Sequence, residues 1–160
     1  MKRGSTIFLK VVIVLIGVVV FAGMIRFPVT EGRAANLSPL SIYSDPFLWY
    51  AYVASIPFFV ALYQAFKLLG YIGQNKVFSQ AAVNTLRAIK YCAIILIGFF
   101  VGVEGYIFVV SRTVEEDIAG GVMMGVILIF VSAVIATAAA VFEKLLQSAV
   151  DIKSENDLTV

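Results

Sequence analysis

Hydrophobic positions in this chain gather into four runs of about twenty residues, at about 7–25, 47–66, 91–110 and 121–142. At roughly 1.5 Å of rise per helical residue, each run can cross a hydrocarbon layer about 30 Å thick. What remains is two short ends and three connections, none long enough to bury a soluble core of its own. The pattern predicts an all-α, integral membrane four-helix bundle that forms a single domain over 1–160.

Two weaker patterns lie outside the runs. In the connection over 67–90, Ser79 reads as a helix start whose hydroxyl caps free N–H groups, with Phe78 placed to pack on Val83 as a hydrophobic staple. Ala82, Val83, Leu86 and Ile89 then fall on one face, and Gln80, Asn84, Arg87 and Tyr91 on the opposite one. This spacing predicts an amphipathic helix over about 79–90 that runs directly into the third span, either lying on the inner leaflet or docking a partner. Beyond the fourth run, Phe142, Leu145, Leu146, Ala149 and Ile152 continue an apolar stripe, while Glu143, Gln147 and Asp151 line the other side. A helix is therefore expected to continue to about Lys153, within a tail over 143–160. Pro57, inside the second run, removes one backbone hydrogen bond and predicts a bend there.

Composition agrees with the pattern: 61% of the residues are hydrophobic, 14% are charged, and the mean hydropathy is +0.99. The charges add orientation. With the N-terminus inside, one face of the membrane receives nine basic residues, among them Lys67, Lys76, Arg87, Lys90, Lys144 and Lys153. The other receives Arg26, Arg33 and Arg112. The asymmetry predicts that both termini are cytoplasmic, in a bacterial plasma membrane. The first run is longer than a secretory h-region and is read as a retained helix. A net charge of +2, dispersed along the chain, argues against direct nucleic-acid binding. The chain has no His and a single cysteine, Cys92, which excludes a His/Cys metal cluster and an intramolecular disulfide. No metal or cofactor is expected. The trio Glu115-Glu116-Asp117 reads as a solvated loop.

Glu104 is the outstanding polar residue, within the third run and roughly 9 Å deep from its outer end. A carboxylate there is costly to ionise, so it is expected to be neutral, paired or facing water inside the bundle. Arg26, Arg112 and the hydroxyls of Tyr52 and Tyr106 are the partners in reach. Gly98 with Gly102, and Gly121 with Gly125, form two G-x-x-x-G pairs that predict close helix packing, either between the third and fourth spans or in a homodimer. No nucleophile elbow, zinc-binding helix motif, phosphate loop or pair of intramembrane carboxylates occurs, so no enzyme chemistry is expected.

Tyr63-Gln64 with Lys67-Leu68-Leu69, then Tyr71-Ile72, Asn75 and Phe78-Ser79, and the ending from Ile152 to Val160, resemble a family of small bacterial membrane proteins catalogued as domain of unknown function two-nine-seven-five. The resemblance extends over essentially the whole chain. It implies four membrane helices and a bacterial origin but supplies no activity, and Glu104 is not among its residues. Genes of such proteins often neighbour one for a small Cro/CI-like helix-turn-helix regulator, which implies a regulatory pairing. The expectation is thus a non-enzymatic regulatory or scaffold protein in the lipid bilayer, engaging a cytoplasmic partner such as that regulator. Ser79, Asn84, Arg87, Lys153, Glu155, Asn156 and Asp157 are the candidate partner-binding residues. The alternative is a small transporter, channel-like or immunity-type protein that uses Glu104 in the bundle.

Overall fold

The computed structural model describes residues 3–30, 46–111 and 119–157. These form four helices, α1 (Arg3–Thr30), α2 (Pro46–Gly73), α3 (Gln80–Ser111) and α4 (Ala119–Asp157), and no strand occurs among the described residues. All four are long and apolar enough to cross a membrane. Glu115, Glu116, Asp117 and Arg112 lie outside the described residues.

The helices pack in chain order, α1 on α2, α2 on α3 and, most extensively, α3 on α4. Side-chain pairs fix the antiparallel register. Along α1 and α2, Thr6 meets Gly73, Gly17 meets Leu62 and Phe21 meets Phe59 edge to face, while the Tyr52 hydroxyl donates to the Met24 carbonyl at 3.4 Å. Lys10 sits within the apolar run of α1 and spreads its ammonium over the Phe66 ring, 4.8 Å from the centroid, which shields that charge. Along α3 and α4, Gln80 meets Gln147, Arg87 meets Glu143 and Glu104 meets Gly125. The N-terminal end of α1 and the C-terminal end of α4 therefore share one end of the bundle. Helix α2 continues without a break through Pro57.

Most large apolar side chains are exposed, as expected of helices whose solvent is lipid. The dense core is off-centre. Ala82, Val83, Leu86, Cys92, Ala93 and Leu96 of α3, with Ala136 and Ala139 of α4, are buried toward the end where α1 begins and α4 stops. Small residues on α4 let α3 approach closely, gaining dispersion contacts where lipid supplies no hydrophobic drive.

This core overturns one expectation. The apolar face of the segment over 79–90 does not lie on a lipid leaflet: Ala82 and Val83 are 0% exposed, inside the bundle. The segment is the first part of α3, continuous with the span. Ion pairs and amide bonds to α4 hold its polar face, so the protein satisfies both faces by itself.

Candidate functional site

Just past the apolar run of α4, Glu143 turns into the seam with α3. It is 8% exposed and receives two cations: Lys90 Nζ lies 2.6 Å from Oε2, and Arg87 Nε lies 2.7 Å from Oε1. Hydrogen bonds from Lys90 and then Arg87 hold the Glu143 carboxyl below the usual carboxylate range, against a smaller opposing effect of desolvation. One turn further on, Gln80 and Gln147 exchange amide hydrogen bonds at 3.2 and 3.5 Å, and Gln147 also donates to Asp151 at 2.8 Å. Gln80 donates to Asn84 at 3.4 Å. Two of the predicted partner-binding residues, Arg87 and Asn84, thus take part in this intramolecular polar seam. Leu145 and Ile152 of the apolar stripe remain exposed, among the polar Lys144, Ser148 and Lys153.

Beyond the seam lies an open groove of about 1070 Å³, between the α2–α3 turn and the end of α4. Backbone geometry shapes its near wall. Helix α2 ends in a Schellman motif: the Lys76 N–H reaches the Tyr71 carbonyl at 2.9 Å, and the Asn75 N–H reaches Ile72 at 3.2 Å. Asn75 takes the left-handed position, with φ of 56°, where glycine is usual and asparagine is tolerated. Ser79 then starts α3. Its hydroxyl donates to the Lys76 carbonyl at 2.8 Å and accepts from the Ala82 N–H at 3.4 Å, so the cap closes the turn onto the helix.

Four predicted partner-binding residues, Ser79, Lys153, Glu155 and Asn156, line this one groove, joined by Asn75, Lys76, Phe78 and Ile152. Phe78 remains 60% exposed and Ile152 68% exposed, so two bulky apolar side chains face solvent among polar ones. Helix α4 ends at Asp157, whose side chain lies outside the described residues. The sequence pointed to Ser79 and the tail and put Ile152 on an apolar stripe, but it did not single out Lys76 or Ile152 for binding, and only the turn and the long α4 bring them together. The only sequence signal for that meeting is Asn75, a residue type that accepts a helix-ending conformation.

Deeper in the bundle, the Glu104 carboxylate lies against the bare backbone of Gly125, where any Cβ would collide with it. Among the described residues no hydrogen bond or ion pair reaches Glu104, Arg26 included. Tyr106 is exposed, and Tyr52 is bonded to Met24. Gly102 faces α2 rather than α4: a Cβ there would meet the Tyr50 hydroxyl at 2.8 Å, and that hydroxyl donates to the Phe99 carbonyl at 2.7 Å. Among the described residues, no neighbouring atom lies within 4 Å of a Cβ position on Gly98 or Gly121. Each G-x-x-x-G pair thus has one member at a close approach and one in open space.

Comparison with known proteins adds identity without activity. The uncharacterized membrane protein YoaS of Bacillus subtilis (strain 168) is 46% identical over 162 residues, an overlap covering 100% of both chains. No solved structure matches this chain. A family model described as "Protein of unknown function (DUF2975)" matches residues 29–160. With four helices that can each cross a bilayer and a family match over most of its length, the chain belongs to the DUF2975 family and is a multi-pass membrane protein.

Proposed function

We propose that this protein is a non-enzymatic membrane scaffold that presents the groove between Phe78 and Ile152 to a cytoplasmic partner. Both termini are then inside, in a bacterial plasma membrane, as the excess of lysine and arginine on that side argues. The observation that carries the reading is the convergence of Ser79, Lys153, Glu155 and Asn156 on one groove with two exposed apolar side chains. Exposed aromatic and aliphatic groups ringed by polar ones are the usual make-up of a contact surface. Its most concrete version, drawn from the family resemblance, is a small helix-turn-helix regulator held at the membrane.

Affinity recovery from crosslinked native membranes tests it. Wild type should recover the regulator, and Ile152→Asp should lose it while remaining in the membrane. Equal recovery by both would refute the reading. The competing transport reading rests on Glu104. Its seat against the Gly125 backbone supports interhelical packing instead, and solute flux in vesicles that disappears with Glu104→Gln would reverse that preference.

A further inference from the structure

The groove has a charge as well as a shape. Among the described residues over 67–90 and 143–156, six are basic (Lys67, Lys76, Arg87, Lys90, Lys144 and Lys153) and three are acidic (Glu143, Asp151 and Glu155). The Glu143 pairing takes up two of the basic residues, which leaves four basic against two acidic. Glu143 is held by Arg87 and Lys90, Asp151 accepts from Gln147, and Glu155 also has an interaction of its own. Two ammonium groups at the groove, Lys76 and Lys153, have no ion-pair partner among the described residues. They stand beside Phe78 and Ile152, which present bulky apolar surface to water.

Position separates a protein ligand from a lipid headgroup. On the run boundaries read from the sequence, Ile152 lies ten residues past the apolar run of α4, and Gly73 seven residues past that of α2. At 1.5 Å per residue these are about 15 and about 10 Å. The headgroup layer adds only about 5–7 Å to each side of the hydrocarbon. The groove therefore stands clear of the lipid surface.

We infer that the groove binds an acidic peptide segment of a soluble protein, with one bulky apolar side chain seated between Phe78 and Ile152 and flanking carboxylates on Lys76 and Lys153. Opposite charges at the edge set orientation and on-rate, and the buried apolar anchor supplies affinity. This inference rests on the docking reading above and names the chemistry of its partner.

The test uses the full chain in nanodiscs of neutral phosphatidylcholine. The probes are a short fluorescein-labelled peptide of leucine, glutamate and alanine and its counterpart with lysine for glutamate, with binding read by anisotropy. The acidic peptide should bind, weakening as salt rises, and the basic one should bind about tenfold or more weakly. Lys76→Glu with Lys153→Glu should reverse that preference, while Lys144→Glu, outside the groove, should leave it intact. Helical circular dichroism checks that each variant is folded. Equal binding of the two peptides, or an unchanged preference in the double variant, would overturn the inference. So would displacement of the acidic peptide from wild type by phosphatidylglycerol vesicles at a lower concentration than by the unlabelled acidic peptide, which would assign the surface to lipid. If Ile152→Asp abolishes recovery of the native partner while reversing both lysines leaves recovery unchanged, docking stands and only the acidic chemistry fails.

Discussion

Glu143 is the residue on which the half of the bundle at the end of α4 turns. Its sequence neighbourhood places it on the polar side of an amphipathic helix, which ordinarily faces water. Instead it enters the seam, because Arg87 and Lys90 are spaced to meet both carboxylate oxygens. Replacement by Gln keeps the shape and one acceptor oxygen but loses the negative charge and one of the two bonds, which lowers stability, by a modest amount because Arg87 is half exposed to water. The carboxyl is held below its ordinary value in the folded protein, so its contribution is complete above the unfolded value of about 4.3. It fades as pH falls through the lowered folded value. Thermal unfolding in detergent should therefore separate wild type from Glu143→Gln at neutral pH and bring them together in acid. A gap that persists unchanged into strong acid would contradict this account. Glu104 was equally visible as a residue, but its seat at Gly125 was not, since neither periodicity nor composition says which glycine faces which side chain.

At the scale of elements, the turn between α2 and α3 sets the groove. The Schellman hydrogen bonds fix where α2 stops, and the Ser79 cap fixes where α3 begins. Ser79 was legible as a helix start because Ser before an apolar-periodic segment has a capping use. The left-handed Asn75 was less so, because asparagine also occurs in ordinary loops. Asn75→Ala should lower stability by about 1 kcal/mol, and Asn75→Gly should match or exceed wild type, since only the alanine adds strain at positive φ. Thermal midpoints in detergent decide between these outcomes, and an alanine variant as stable as wild type would remove the turn from the explanation. The amphipathic segment over 79–90 teaches a related lesson. A sequence reveals that a helix has an apolar face but not whether lipid or another helix covers it. Here the bundle buries that face, while the 39-residue α4, roughly 58 Å long, reaches far enough to pair with the polar side through Glu143 and Gln147.

For the whole molecule, four antiparallel helices bring the start of α1 and the end of α4 to one end of the bundle. Epitope tags at both ends should be accessible from the same side of right-side-out or inverted vesicles, the cytoplasmic side on the charge asymmetry. Labelling of the two ends from opposite sides would break the topology. The number of helices, their membrane character and the family were all written in the sequence. Those properties depend on run length and hydrophobicity, which one chain carries without reference to its neighbours. The off-centre core, the inward turn of Glu143, the open positions of Gly98 and Gly121 and the meeting of Lys76 with Lys153 at one groove were decided only by tertiary structure. The physical reason is that lipid is as apolar as a helix face. Burial in the membrane says little about which faces pair, and the choice falls to shape and to a few polar bonds between residues distant in sequence.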